Sequence, residues 1–289
     1  MKERKFSECQ GGDRADCGIR PTGPCRLIRV FVQPLVLLLL VVGCATTGIN
    51  KGQVNLVSSD EEVQMGKELA VEVDKQFEVL DDPVVTAYVQ SVGSRLAGLS
   101  DRPDIEYHFA VINKDELNAF ALPGGYIYIY TGLLKELDDE AQLAGVLAHE
   151  IGHVTARHAT ERLTAMYGYQ ILAGLLLGDN PNTYAKLVSD IFSTTGFLAY
   201  SRQNEFEADR LGTGYSFNAG YDPNGVSELL GKLSSMESRE PSKLEELLST
   251  HPPTSDRISK VKSVIAAIPG SNEKKRNRTG YAGMKARLP

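Results

Sequence analysis

LAGVLAHEIGHVTARH, residues 143–158, contains the spacing HExxH inside a mostly apolar stretch that is expected to form a buried helix. On a helix, His149 and His153 lie one turn apart and point to the same side. Two neutral imidazoles placed in this way can bind one zinc ion, and Glu150 can hold a water molecule beside it. Burying these polar groups is costly without such a partner. A chance occurrence of the motif is the alternative, although the chain has only five histidines.

The residues after His153 narrow the class of zinc site. A metzincin carries glycine three residues, and histidine six residues, after the second histidine of HExxH. Ala156 and Ala159 occupy these places, which excludes a metzincin. We expect the helix to continue through Arg157 and His158, so that His158 lies off the metal face and has a structural role.

An acidic pair farther along the chain could supply a third ligand. In SRQNEFEAD, residues 201–209, Glu205 and Asp209 are four residues apart and share a helix face. A gluzincin needs a ligand carboxylate from a separate helix and a second acid, one turn on, that orients a ligand histidine. Glu207 is expected to point to solvent. Acidic residues on exposed helices are common, so the pair is informative only because HExxH requires a partner.

Two stretches before the HExxH helix have the pattern of strands. IEYHFAVI (105–112) predicts one strand, and NAFALPGG (118–125) followed by YIYIYT (126–131) predicts two short strands around a Pro-Gly-Gly turn. An extended peptide can pair with the edge of such a sheet. The candidate substrate-binding residues are therefore Asn118, Ala119, Phe120 and Ala121. An ordinary hairpin without a binding role is the alternative.

The rest of the chain is mainly helical in pattern. Helices are predicted over residues 59–77, 82–99, 132–137, 223–236, 244–248 and about 255–268. The apolar stretch 160–200 is expected to pack against the core, with a membrane hairpin as the alternative. His251 could face the metal or could be an ordinary loop histidine. The predicted fold class is α+β, mainly α, with a small β-sheet beside the HExxH helix.

The N-terminus has the pattern of an export signal. Arg20, Arg26 and Arg29 precede an apolar run that is too short to span a bilayer but suits a secretory signal. The run ends in VVGC (41–44), which resembles a bacterial lipobox, so we expect cleavage before Cys44 and acylation of its thiol. An uncleaved anchor is the alternative. The three earlier cysteines lack the paired spacing of a zinc or redox site.

Four blocks of sequence resemble, in order, the zinc endopeptidase family of the CAAX prenyl proteases, the HtpX heat-shock protease and the BepA-type periplasmic proteases. They are NAFALPGG (118–125), HEIGHVTARH (149–158), SRQNEFEAD (201–209) and HPPTSDR (251–257). The resemblance covers about residues 60–269 and implies a zincin-like metallopeptidase domain. It implies these roles: His149, His153 and Glu205 as zinc ligands, Glu150 as general base, Asp209 behind a ligand, and His251 near the reacting carbonyl or the metal. Neither the transmembrane helices nor the repeat array found in parts of the family is evident, so the substrate does not carry over.

The predicted organisation has four parts. They are a leader and lipoprotein signal peptide (1–43), a tether (44–58), the zinc metallopeptidase domain (59–269) and a basic flexible tail (270–289). The expected location is the bacterial cell envelope, facing the periplasm, and Ala45 favours outer-membrane sorting. The net charge of −6 argues against nucleic acid as a partner. The expected partners are polypeptide substrates and a membrane reached through the lipid on Cys44.

The predicted function is zinc-dependent endopeptidase action on misfolded or misassembled envelope proteins, with one zinc ion per chain. A lipoprotein chaperone or assembly factor with a structural or latent zinc site is the alternative from another class. In that case His251 would be a fourth ligand that closes the site. A zinc hydrolase of non-peptide substrates is a third possibility, which the long block around the predicted edge strand disfavours.

Overall fold

Helices dominate the computed structural model, which describes residues 49–50, 53–177, 199–237, 239, 241–251, 255–277 and 280–289. The described residues belong to one compact unit. Its helices are α1 (Ser59–Gln76), α2 (Pro83–Ala97), α3 (Thr131–Glu136), α4 (Glu140–Thr155), α5 (His158–Leu177), α6 (Arg202–Asn218), α7 (Asn224–Glu237), α8 (Pro241–Thr250), α9 (Ser255–Ala266) and α10 (Tyr281–Lys285). Its strands are β1 (His108–Ile112), β2 (Ala119–Ala121) and β3 (Tyr126–Tyr130). The prediction of a mainly α, α+β fold with a small sheet is confirmed.

The three strands form one sheet in the order β1-β3-β2. β3 is central: it pairs in parallel with β1 and antiparallel with β2, with Phe120 opposite Tyr128. The predicted Pro-Gly-Gly turn is confirmed as a 3-10 turn over Pro123–Gly125. Gly124 has φ 73°, a conformation that favours glycine, and a Cβ there would lie 2.7 Å from the Cα of Val63. β2 is an edge strand of this sheet in the part of the chain that the structure describes.

Helices α1 and α2 begin where their sequence signals predict. Ser58 caps α1 in a capping box with Glu61, and Asp82 caps α2 with proline in its first turn. On α1, Leu69 and Val73 are buried, whereas Val63 is exposed. The buried side of α1 also includes Glu62, which pairs with Arg102 and Arg157.

The sheet is sandwiched between helices. Met65, Leu69 and Val73 of α1 cluster with Phe120 and Tyr128 on one face. On the other face, Ile127 and Ile129 join the large core that α2 and α4 share. Helix α4 therefore runs beneath the sheet with nearly all of its residues buried.

Helix α4, which carries HExxH, ends earlier than predicted. The Asp139 side chain caps its start by accepting a hydrogen bond from the backbone N–H of Gln142, but the helix stops at Thr155 instead of continuing through His158. Arg157 has φ 58°, in the left-handed region, and α5 starts at the next residue. The Arg157 guanidinium lies 2.6 Å from the buried carboxylate of Glu62 and hydrogen-bonds the Val57 carbonyl. These contacts stabilise the break between the two helices.

The predicted tether and flexible tail are both wrong for the residues that the structure describes. Before α1, Asn55 hydrogen-bonds Thr160 of α5 and Val57 is buried. The exposed termini of domains are commonly mobile unless such contacts hold them. At the other end, Tyr281 and Met284 are buried in the main core. Two arginines of the tail, Arg276 and Arg287, pair with acids of the domain, so this part of the tail is held in place. Arg276, for example, lies 2.7 Å from Asp139.

The predicted signal peptide and Cys44 lie outside the described residues, as does most of the stretch 178–200. In the part that is described, no helix has both the length and the apolar character needed to cross a membrane.

Candidate metal centre

Four side chains from three segments converge at one buried point: His149 and His153 of α4, Glu205 of α6, and His251 just after α8. One ligand atom from each lies within 4.8 Å of the others. Nε2 of His149 is 3.1 Å from Nε2 of His153, and Nδ1 of His251 is 3.0 Å from Oε1 of Glu205. Zinc bonds of 2.0–2.1 Å in a tetrahedral arrangement require ligand atoms about 3.3 Å apart. The spacing suits one zinc-sized ion.

Two glycines allow α6 to lie close enough to α4 for this arrangement. A Cβ on Gly152 would lie 2.9 Å from the carbonyl oxygen of Ala208, and one on Gly212 would lie 2.9 Å from the backbone of Ala148. The two helix backbones are therefore nearly in contact at two places along α6, both within two turns after Glu205. Any larger side chain at these glycines would move Glu205 away from the histidines.

His149 is oriented by a buried ion pair. Its Nδ1 lies 3.0 Å from Oδ1 of Asp209. Arg257 of α9 forms two hydrogen bonds of 2.8 Å with the same carboxylate, and its Nη1 is 2.7 Å from Glu205. Burial acts to raise the pKa of Asp209, but the hydrogen bonds and charge of Arg257 outweigh it and lower that pKa. Arg257 thus contacts the candidate ligand Glu205 and also Asp209, the residue that orients the candidate ligand His149.

His153 is oriented by a second histidine. Nδ1 of His158 is 2.9 Å from Nδ1 of His153, and Nε2 of His158 faces Glu207 at 3.4 Å. Glu207 also accepts a hydrogen bond of 2.8 Å from the backbone N–H of Asn50. The ring of Tyr200 stacks on His153 with centroids 3.9 Å apart. The prediction that Glu207 points to solvent is wrong, because its carboxylate contacts His158 and the backbone of Asn50. His158 contacts the ring nitrogen of His153 that faces away from the other ligands and is not one of the four converging side chains, which agrees with a structural role off the metal face.

These contacts determine the tautomers of both α4 histidines. The carboxylate of Asp209, 3.0 Å from Nδ1 of His149, favours the proton on that nitrogen. Glu207 requires the proton of His158 on Nε2, so Nδ1 of His158 accepts from Nδ1 of His153. Both Nε2 atoms then carry lone pairs that face each other 3.1 Å apart, beside a carboxylate oxygen of Glu205. Such a donor set repels itself unless a cation lies at its centre, and it therefore fits a metal ion.

The pKa shifts of the site residues also indicate that the site favours a positive charge. Burial opposes protonation of His149, yet Asp209 and Glu205 raise its pKa to about 10. Burial also opposes ionisation of Glu205, but the charge of His251 and the hydrogen bonds of the neighbouring imidazoles hold its pKa well below the ordinary value. The pKa of His153 is lowered well below its ordinary value, chiefly by burial. The buried carboxylates favour a cation at the position where the ligand atoms meet.

Glu150 lies beside the four-residue group and is not part of it. Its side chain is buried, its Oε1 is 3.9 Å from Nε2 of His251, and its Oε2 has no hydrogen-bond partner. Burial raises the pKa of this carboxyl group. A buried carboxylate with a raised pKa, next to a metal site, is suited to accept and return a proton.

The structure brings the predicted ligands, the predicted base and Asp209 into one site. It places Asn118, Ala119, Phe120 and Ala121 with their side chains buried, so only their backbone could face a peptide. Sequence reasoning gave no role to Arg257, placed Glu207 in solvent and gave His158 only a structural role. Arg257 is in the block HPPTSDR, which was noted only as a resemblance.

The comparisons with known proteins agree with this geometry. The model of Peptidase family M48 matches residues 83–265. The beta-barrel assembly-enhancing protease of Escherichia coli (strain K12) is 34% identical over 212 residues, which are 70% of this chain and 43% of that protein. The mitochondrial metalloendopeptidase OMA1 of Arabidopsis thaliana is 32% identical over 219 residues, 72% of this chain and 42% of that protein. The chain thus spans less than half the length of these two curated relatives.

Proposed function

The chain belongs to peptidase family M48, and from this premise we propose that it is a zinc-dependent endopeptidase that hydrolyses internal peptide bonds of polypeptides. The observation that carries the proposal is the meeting of three imidazoles and one carboxylate at zinc spacing, with Glu150 beside them. The donor set of nitrogen and carboxylate ligands is typical of zinc. Relatives named as a beta-barrel assembly-enhancing protease and as metalloendopeptidases support the same class of reaction.

In the proposed assignment, His149, His153 and Glu205 hold the ion, and zinc would polarise the scissile carbonyl and make a water molecule more acidic. Glu150 takes the proton of the attacking water and then gives it to the leaving amine. Its raised pKa favours both transfers at neutral pH. His251, with Nε2 free of a hydrogen-bond partner, is placed to donate to the oxygen that gains charge.

The substrate backbone is proposed to pair with β2 at the edge of the sheet. Ala119 and Ala121 lie on the face of β2 that joins the core shared with α4, so a chain added there would run past the metal centre. Since the β2 side chains are buried, pairing through main-chain groups would accept many sequences. This suits an endopeptidase that acts on unfolded segments of misfolded or misassembled envelope proteins.

We also propose that the protein is exported to the cell envelope and anchored there by a lipid. The apolar run ending in VVGC (41–44) supports export and acylation of Cys44, with the domain facing the periplasm and the outer membrane favoured by Ala45. A relative named for β-barrel assembly supports a role in the envelope. Radioactive palmitate labelling of the wild type, but not of Cys44→Ser, would test the anchor.

The test of the activity is Glu150→Gln in the full-length protein. The variant should bind one zinc per chain by metal analysis and unfold like the wild type, because the amide matches the carboxylate in shape. Cleavage of casein or a peptide library should fall at least about 1,000-fold, as expected when a general base is lost. Unchanged turnover in this variant would rule out the mechanism.

A second candidate function is that of an exported chaperone or assembly factor with a latent zinc site. The observation that favours it is the position of His251, whose Nδ1 is 3.0 Å from Glu205 and 3.5 Å from Nε2 of His149. At that distance His251 can be a fourth ligand, and four protein ligands close a zinc site. Absence of cleavage in both the wild type and His251→Ala, with zinc bound in each, would favour this reading.

A further inference from the structure

A groove of about 650 Å³ lies on the face of the sheet that α1 covers. Its lining comes from β1, β3, the second half of α1 and the segment that follows α1. Tyr126 and Tyr128 cluster with α1 on this face, whereas Ile127 and Ile129 belong to the core on the α4 side. Among the described residues that line the groove, none belongs to the metal centre. The groove is therefore a separate candidate binding site.

The groove is lined by acidic side chains and, among the described residues, by no lysine or arginine. Asp74 and Glu78 both line it and are exposed. Within the described ranges, Asp74 has no hydrogen bond or ion pair, and Glu78 accepts one hydrogen bond from the neutral amide of Asn113. His108, the one lining residue that can become a cation, lies 3.9 Å from the carboxylate of Glu106. The groove thus carries negative charge that no described group compensates at neutral pH.

Aromatic rings and an unused hydroxyl lie beside these carboxylates. His108 stacks on Tyr126 with ring centroids 4.5 Å apart, and Phe77 and Tyr128 also line the groove. Tyr128 is only 3% exposed, and its hydroxyl forms no hydrogen bond with any described residue. Burial raises the pKa of Tyr128, and the charge of Asp74 raises it further. A buried polar group normally has a hydrogen-bond partner, so this hydroxyl is available to a ligand.

A neighbouring contact shows that these rings can face a cation. Nζ of Lys114 lies 5.7 Å from the ring centroid of Phe77 and 5.2 Å from that of Tyr130. Lys114 is paired with Glu116 and Glu246 and does not line the groove. Its charge is therefore used at the end of the sheet, and the carboxylates in the groove still lack a positive partner.

We propose that the groove is a docking site for an arginine side chain in a segment of another polypeptide. A planar guanidinium can stack on an aromatic ring while it donates hydrogen bonds to carboxylates. Asp74 and Glu78 would accept these hydrogen bonds, and the aromatic floor would face the guanidinium plane. A lysine ammonium would pair with the carboxylates but would lack the planar surface, so it would bind more weakly. Because the groove and the metal centre share no residue, this docking does not depend on the proposed function.

Two small probes test the site. Nα-acetyl-arginine methylamide carries the side chain between two peptide groups, and its citrulline counterpart has the same shape without the positive charge. In an NMR titration of the zinc-loaded full-length protein, the arginine probe should bind at least about fivefold more tightly, as expected from one exposed ion pair and one cation–π contact. The resonance of the Tyr128 ring, identified by its loss in Tyr128→Phe, should shift when the arginine probe binds.

Asp74→Asn is the decisive variant. It should reduce the preference for the arginine probe to less than about twofold, and it should leave the free energy of unfolding nearly unchanged because the side chain is exposed. Glu68→Gln is the matched control, since it removes one negative charge from the same helix and Glu68 does not line the groove. This control should keep the full preference, which separates a local contact from an effect of net charge.

Three results would each overturn the docking site. They are equal affinities of the wild type for the two probes, an undiminished preference in Asp74→Asn, and binding of the arginine probe that leaves the Tyr128 resonance in place.

Discussion

The two histidines of α4 are held in place by regions of opposite character. Behind His149, Asp209 and Arg257 form a bidentate ion pair that is almost completely buried. Behind His153, a hydrogen-bonded series leads through His158 to Glu207, which is half-buried. The first support lies among the helices of the core, while the second ends at the segment that precedes α1.

The difference teaches that one metal site can combine a rigid and an adjustable support. A buried ion pair that loses one partner leaves an uncompensated charge, so the His149 support cannot relax cheaply. The His153 support ends at the backbone N–H of Asn50, 157 residues away from Glu207 in sequence. Its members can exchange their outer hydrogen bonds for water. We therefore expect substitutions behind His149 to affect folding and metal binding, and those behind His153 to affect mainly metal binding.

Asp209→Asn should have the largest effect. The variant keeps the shape of the side chain but leaves Arg257 without the carboxylate that takes two of its hydrogen bonds. The free energy of unfolding should fall by about 3–5 kcal/mol, as for other broken buried pairs. Zinc affinity should fall about 10- to 100-fold, because His149 loses its orienting partner. Urea unfolding and chelator competition would measure the two changes, and an unaltered unfolding free energy would show that the His149 support is not the rigid one.

His158→Ala should have an intermediate effect. It removes the acceptor of the His153 Nδ1 proton, so zinc affinity should fall about 10-fold. The free energy of unfolding should fall by only about 1–3 kcal/mol, because no charge is stranded. Glu207→Gln is the graded control, since its amide oxygen can still accept from His158 and should preserve most of the affinity. A loss of stability larger than that of Asp209→Asn would reverse the comparison.

Glu161→Gln should have the smallest effect, visible only as a change with pH. Glu161 of α5 receives a hydrogen bond from Asn204, and burial raises its pKa from 4.5 to about 7. Since the folded state binds this proton more tightly than the unfolded state does, the carboxyl group favours folding below about pH 4.5, and this contribution is lost as the pH rises through 7. The melting temperature of the wild type should therefore fall across this interval by a few degrees more than that of Glu161→Gln. Parallel curves for the two proteins would exclude a raised pKa at Glu161.

Much of the fold could be predicted from local sequence signals. The capped starts of α1, α2 and α4 and the turn at Pro123–Gly125 depend on residues close to one another in sequence, so they could be predicted without tertiary contacts. The candidate ligands followed from spacing within α4 and from the need for a partner carboxylate. Family resemblance added His251.

The features that could not be predicted depend on contacts between distant residues. The end of α4 depends on the ion pair between Arg157 and Glu62, which are 95 residues apart in sequence. The same break places His158 against Nδ1 of His153, a contact that a spacing argument based on a continuous helix does not predict. The segments before α1 and after α9 are held in place by long-range contacts. One example is the pairing of Arg276 with Asp139, 137 residues apart in sequence. No local pattern encodes these pairings.

The wide separation of the site's parts along the chain has a consequence for biosynthesis. His149 and His251 are 102 residues apart, and Glu205 comes between them. A growing polypeptide that has emerged only as far as α5 holds two imidazoles and the base, but neither the ligand carboxylate nor the guanidinium that steadies it. Under the proposed function, the hydrolytic machinery would be complete only when nearly the whole domain has been synthesised, which would protect the nascent chain and its neighbours from premature cleavage.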